Sequence, residues 1–148
     1  MLIKELVEQN RVCFHDSFEN WEDAIVASCK PLIDDHSIGQ EYVNSVIESV
    51  HKFGPYIVFA PNIAMPHSQQ GAEGVYKTAI SFMKVENPVH FEVGNPEKDA
   101  KLFFVLASEN PEVHLKNMQK LVEVLMDENM LNGLLQAKCV EDLLKLKS

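Results

Sequence analysis

A chain of 148 residues that is 46% hydrophobic and 24% charged is long enough to close one real core and leaves little room for a second. Twenty-two acidic residues against thirteen basic ones give a formal net charge of −9, which opposes general nucleic-acid binding, since that needs clustered cations against phosphates. The longest apolar runs, such as Leu102 to Ala107, are far short of a membrane span, the start reads as no signal peptide, and three widely spaced cysteines (Cys13, Cys29, Cys139) suit a reducing cytoplasm.

The elements are read in chain order. A short amphipathic helix is expected around Ile3 to Gln9 and a short strand at Val12 to Phe14. Asn20 is placed to cap a helix, with Glu22 and Asp23 in its first turn and Trp21, Ala24, Ile25, Ser28 and Leu32 at helical spacing. After Gly39, the stripe Tyr42, Val43, Val46, Ile47, Val50 predicts a second helix ending at Gly54-Pro55. Tyr56 to Ala60 reads as a short strand stopped by Pro61, and Tyr76 to Val85 as another. Lys101 to Ala107, nearly all apolar, reads as a central strand. Pro111 opens a helix whose Leu115, Met118, Leu121, Val122, Leu125 and Met126 form one stripe, and shorter helices are expected at Glu128 to Ala137 and Val140 to Lys145. Such interleaving predicts a single three-layer α/β/α domain over residues 1–148, with helices on both faces of a mixed sheet.

The chain has no Walker loop, GxGxxG, HExxH or CxxC, so no metal and no bound cofactor is expected, and a metal-dependent hydrolase lacks its ligand spacing. Six histidines remain. His15, His36 and His90 are expected at the surface, and His51 in the last turn of a helix, where a cation complements the dipole. His67 stands apart, in Ala60-Pro-Asn-Ile-Ala-Met-Pro-His-Ser directly after a predicted strand, where Pro66 restricts the backbone. A neutral imidazole is a competent nucleophile toward phosphorus and a competent leaving group, although a loop histidine held by a carbonyl is the commoner case. His114 follows the central strand and lies in the first turn of the Pro111 helix, where N–H groups favour anions.

The run Phe59-Ala-Pro-Asn-Ile-Ala-Met-Pro-His-Ser is similar to the phosphorylation-site motif of enzyme IIA domains of the phosphoenolpyruvate-dependent phosphotransferase system, mannitol–fructose type. Gly54-Pro-Tyr-Ile-Val-Phe-Ala-Pro, Glu73-Gly-Val-Tyr-Lys-Thr and Val105-Leu-Ala-Ser-Glu-Asn-Pro-Glu-Val-His-Leu extend the likeness over the whole chain. The wording Gly-Pro-Tyr and Ala-Met-Pro-His looks most like the L-ascorbate-specific branch. The resemblance implies the mannitol-type IIA fold and a cytoplasmic phosphoryl relay without direct membrane insertion. A histidine phosphocarrier protein would donate to His67, and a cysteine of a IIB component serving a IIC permease would accept. It makes His114 the residue that steadies the phosphoryl group. An alternative in the same family is a nitrogen-type regulatory IIA, whose phosphohistidine controls protein interactions. Two departures stand out. The residue after the active histidine is Ser68 where Gly, Ala or Cys is usual, and His51, sixteen positions before His67, stands where mannitol-type members carry arginine. Ser68, His51 and Lys77 are thus candidate supports for the phosphoryl group.

Overall fold

The computed structural model describes residues 2–69 and 71–146; Met1, Gln70, Lys147 and Ser148 lie outside the described residues. In chain order the elements are α1 (Leu2–Glu8), β1 (Val12–His15), α2 (Trp21–Asp34), α3 (Gln40–Phe53), β2 (Val58–Ala60), β3 (Asn62–Ala64), β4 (Ala79–His90), β5 (Asp99–Ala107), α4 (Pro111–Leu125), α5 (Glu128–Gln136) and α6 (Val140–Leu144). The strands form one mixed sheet in the order β1-β4-β5-β3-β2. β4 and β5 pair antiparallel, whereas β1 joins β4 and β3 joins β5 in parallel.

Local chemistry explains where the helices begin. Asn20 accepts the N–H of Asp23 at 2.8 Å and so caps α2, while Asn110 accepts the N–H of Val113 at 2.8 Å, with Pro111 in the first turn of α4. Gly54, at φ +81°, ends α3. Pro31 lies inside α2 and cannot donate to the carbonyl of Ala27; that oxygen instead faces the Cys13 thiol at 3.9 Å.

β5 is the middle strand, buried along nearly its whole length, as its apolar run predicts. Its side chains alternate between the two faces. Leu102, Phe104 and Leu106 pack with α1, α4, α5 and α6. Phe103 packs beneath α2, and Val105 and Ala107 beneath α2 and α3. The result is the expected three-layer sandwich. Phe104 is fully buried and meets the Phe82 ring at 4.8 Å. Phe104→Ala is therefore expected to cost about 4 kcal/mol in urea unfolding; a loss below about 1 kcal/mol would mean the site collapses to fill the space.

Two strand readings change. Tyr56 to Ala60 shrinks to β2, and Pro61 turns the chain into β3, which pairs back on β2. His67 thus follows β3 and not the strand read from sequence. Tyr76 to Thr78 do not join the sheet, because the N–H groups of Tyr76 and Lys77 bond the Ser37 carbonyl. In compensation, β4 runs on to His90 through a register shift between Lys84 and Val89 that accommodates Pro88.

Lys84 is a further surprise. Its side chain is only 2% exposed, and its Nζ donates to Glu86 at 2.6 Å and to the Ala137 carbonyl at 2.9 Å. The Glu86 carboxyl is held below its ordinary range, first by that hydrogen bond.

Candidate active site

β3 and β5 run parallel as neighbours, so their C-terminal ends emerge side by side at one edge of the sheet, where α/β folds commonly place reactive groups. The chain leaving β3 carries His67 and the chain leaving β5 enters α4, which carries His114. The two imidazoles come to 5.3 Å between ring centroids. They line a cleft of about 330 Å³ together with Tyr42, Ser68, Ser108, Glu109 and Asn110, among others.

The His67 segment is held along its length. The Met65 N–H donates to Ile57, and the Pro66 carbonyl accepts from Leu106 of β5. The Tyr56 hydroxyl donates to the carbonyl of His67 itself, and its ring meets the imidazole edge-on at 5.1 Å. From α3, the Tyr42 hydroxyl accepts the Ser68 N–H at 3.2 Å and donates to the Leu106 carbonyl at 2.7 Å. Ser49 accepts the Gln69 N–H at 3.2 Å, and the Ser45 and Ser68 hydroxyls lie 2.5 Å apart. Tyr42, Ser45 and Ser49 are three and four residues apart, hence on one face of the helix. Gly74 lets the loop lie against this helix, since a Cβ there would sit 2.6 Å from the Tyr42 nitrogen.

The ring of His67 has a defined proton. Nδ1 lies 2.6 Å from the Met65 carbonyl, and a carbonyl only accepts, so Nδ1 carries the hydrogen and Nε2 the lone pair. Burial holds the His67 pKa below the ordinary imidazole value, the Met65 carbonyl works against that shift, and His114 adds to it. Burial likewise lowers His114. Both rings are therefore neutral at pH 7, the state in which an imidazole nitrogen is a nucleophile.

The other candidates separate from this pair. Ser68 lines the cleft beside His67. His51 does not: its ring lies tilted against Trp21 at 4.8 Å between centroids and meets Glu22 at 3.5 Å. Lys77 is exposed and lies outside the cleft lining. Arg11 is bound to Asp35 at 2.7 Å and to Ser37 at 3.2 Å. Among the described lining residues there is thus no lysine or arginine. His15, His36 and His90 are exposed as expected, His90 pairing with Asp99 at 2.8 Å. Burial pushes the Cys13 and Cys29 thiols up to about 12, which leaves them protonated and unreactive. Among the described residues no group of three or more His, Cys, Asp or Glu could hold a metal ion, and no helix is long and apolar enough to cross a membrane.

The hydroxyls on α3 were not legible as site residues. Tyr42 reads as one member of an apolar stripe, and nothing in its spacing reveals that its polar tip reaches the site.

Two neutral imidazoles thus meet beyond the C-terminal ends of neighbouring parallel strands. The chain belongs to the family described as phosphoenolpyruvate-dependent sugar phosphotransferase system, EIIA 2, whose model matches residues 5–147. It is 31% identical over 143 residues to the mannitol-specific cryptic phosphotransferase enzyme IIA component of Escherichia coli (strain K12), covering 97% of this chain and 95% of that protein. The solution structure of the mannitol-specific cryptic enzyme IIA from Escherichia coli superposes with a TM-score of 0.83 at 31% identity, covering 97% of this chain and 96% of that one. The ascorbate-specific EIIA component of Escherichia coli (strain K12) is 25% identical over 142 residues, covering 95% of this chain and 91% of that protein. The complex of the Escherichia coli mannitol enzyme IIA with its phosphorylated enzyme IIB matches with a TM-score of 0.78 at 21% identity, covering 91% of this chain and 92% of that one; this likeness concerns the fold alone. The expected mannitol-type IIA fold and family are thereby established, and the relatives are phosphotransferases. Relatives of both specificities match over nearly the whole chain, the mannitol-specific one at 31% identity and the ascorbate-specific one at 25%.

Proposed function

We propose that His67 is the phosphoryl-carrying residue of this enzyme IIA domain, which spans residues 1–148, and that Nε2 is the nitrogen that carries the group. The observation that bears most weight is the bond from Nδ1 to the Met65 carbonyl, because it leaves Nε2 as the lone-pair nitrogen. In the transfer, Nε2 attacks the phosphorus of the phosphorylated histidine phosphocarrier protein. The N–P bond of the donor breaks and its electron pair returns to the donor ring. The His67 ring then bears positive charge, which the Met65 carbonyl stabilises through the retained Nδ1–H. A cysteine thiolate of a IIB component reverses the sequence by attacking the phosphorus and expelling neutral His67. The IIB component serves a IIC permease, so the domain works in the cytoplasm without entering the membrane. Phosphoryl transfer asks chiefly for positioning and charge stabilisation, and the bonds that hold residues 65–69 supply the first. His114 is the group that donates to the phosphoryl oxygens.

The transported compound is a sugar or sugar acid, and L-ascorbate is the first to test, with mannitol beside it because of the relatives' two specificities. The test of the relay is incubation with labelled phosphoenolpyruvate, enzyme I and the phosphocarrier protein, then mapping of the label. Acid-labile, base-stable label on His67 is expected. No label, with the donors active on a control domain, would overturn the reading.

The lowered His67 and His114 pKa values also set the response to acid. As pH falls through about 6.5, unfolded imidazoles take protons before these native ones do. Stability therefore declines from that pH down to the lowered native values, and the urea midpoint of His67→Gln is expected to fall less over this range than that of the native protein. NMR titration checks the same point directly: a His67 midpoint at or above 6.5 would contradict a nucleophile kept neutral by burial.

A further inference from the structure

The ladder of β3 on β5 ends with Ala64 opposite Phe103. Counted on from there, the same register puts His67 opposite Leu106. In a parallel pair a residue bonds the two neighbours of the residue opposite it, giving its N–H to one and accepting an N–H from the other. For Leu106 those neighbours are Pro66 and Ser68. The first bond is made in the ordinary way, from the Leu106 N–H to the Pro66 carbonyl at 3.0 Å. At the second, a side chain stands between the partners. The Ser68 N–H donates to the Tyr42 hydroxyl at 3.2 Å, and that hydroxyl donates to the Leu106 carbonyl at 2.7 Å. Both directions are fixed, because an N–H only donates and a carbonyl only accepts. The Ser68 hydroxyl, bonded elsewhere, takes no part.

We infer that the Tyr42 hydroxyl is a spacer set into the sheet, which holds the His67 segment off β5 where the ladder would draw it in and so fixes the gap between His67 and His114. The inference rests on the phosphocarrier reading of His67. Leu106 lies one residue before the end of β5, the strand that leads into α4 and His114. His67 is thus located against the same element that carries its neighbour. A direct N–H···O bond spans about 2.9 Å, and a hydroxyl with a bond on each side spans more. That extra width lies beside the cleft that both imidazoles line, where a phosphoryl group has to fit between rings 5.3 Å apart. Tyr42 suits the task because its ring is anchored: the residue is 3% exposed and packs in one cluster with Val105 and Ala107 of β5. Its one proton is committed to Leu106, and burial pushes its pKa up, so it stays neutral and gives nothing to a phosphoryl oxygen. Tyr42 is therefore a positioning residue.

Two measurements on the full chain test this. Scalar coupling across hydrogen bonds, read by NMR, follows the ladder. The native protein is expected to show coupling from the Leu106 nitrogen to the Pro66 carbonyl carbon, and none from the Ser68 nitrogen to the Leu106 carbonyl carbon. In Tyr42→Phe, which keeps the ring, the second coupling is expected to appear as the ladder closes. Transfer from the phosphorylated histidine phosphocarrier protein reads the consequence. The kcat of Tyr42→Phe is expected to fall about tenfold with KM unchanged, short of the roughly hundredfold that a misplacement of about 1 Å can cost. Without the His114 ring the gap no longer matters, so adding Tyr42→Phe to His114→Ala is expected to cost less than about twofold more. A Ser68–Leu106 coupling in the native protein, which needs no variant to fold, would overturn the inference. So would no new coupling in Tyr42→Phe, a native kcat in that variant, or a loss that multiplies with that of His114→Ala. If the native protein itself takes no label, the carrier reading fails first; label on native His67 with native kcat in Tyr42→Phe removes this inference alone.

Discussion

His67→Ala, incubated with phosphoenolpyruvate, enzyme I and the histidine phosphocarrier protein, is expected to take up no acid-labile label, a loss of at least about a thousandfold in initial rate. The argument is geometric before it is chemical. Covalent transfer needs a nucleophilic atom at the cleft, and the lining residues offer few: two imidazoles, hydroxyls that are not ionised, and Glu109. Among the described residues, His67 has a partner that decides which nitrogen holds the proton, the Met65 carbonyl, and His114 has none. The same carbonyl would stabilise the ring as a cation, so this one contact serves both states that the proposed carrier role requires. The loop around it is bonded at Met65, Pro66, the His67 carbonyl, Ser68 and Gln69. Loss of the imidazole should therefore leave the backbone where it is, and near-native thermal unfolding of the variant checks that. Label persisting on His114 in this variant would reverse the assignment of the two histidines.

His114→Ala is expected to be slowed about a hundredfold in kcat while its KM for the phosphocarrier protein changes little, the pattern for a donor that acts as charge develops. The ring is half-buried on the first turn of α4 and stands 5.3 Å from that of His67, close enough for an N–H to reach an oxygen on phosphorus held by the other ring. In the unmodified protein burial disfavours a charge on His114. A phosphoryl dianion alongside would favour one, and the two effects oppose each other. His114→Gln, which keeps an N–H donor but cannot become a cation, separates them. Recovery of most of the lost rate in that variant means the hydrogen bond suffices; no recovery means the charge is needed. Rapid-quench transfer from the phosphocarrier protein reads both, and a native kcat in His114→Ala would remove the residue from the site.

The sequence carried the layer order and the central place of β5, because a nearly unbroken apolar run has few other homes. It also carried the two histidines, through the family likeness around them. What it hid has physical causes. β3 is three residues long and begins at Asn62 with φ +75°; a hairpin that tight has no periodicity to detect, so its residues read as part of a loop. β4 runs on past Glu86-Asn87-Pro88, a triplet that reads as a turn and is absorbed by a shift in register. Tyr42 is buried by its ring and bonded at its oxygen to the Ser68 N–H and the Leu106 carbonyl, and only the first of these leaves a periodic trace. His51 illustrates the converse: its place in sequence relative to His67 made it a candidate, but the helix turns it toward Trp21 and Glu22.

Lys84 has a consequence for how the sheet finds its pairing. It lies on β4 with its ammonium enclosed on the side of α5 and α6, where the Ala137 carbonyl receives it. Side chains along a strand alternate between faces, so sliding β4 by one residue against β5 would drive that ammonium into the opposite layer, among Ala24 and Phe103. An uncompensated buried cation costs several kcal/mol. An apolar residue in its place would pack on either side nearly equally well, so the charge acts as a key that fits one alignment. A lysine far from His67 and His114 thus favours one register of β4 on β5, the strand whose end leads into α4.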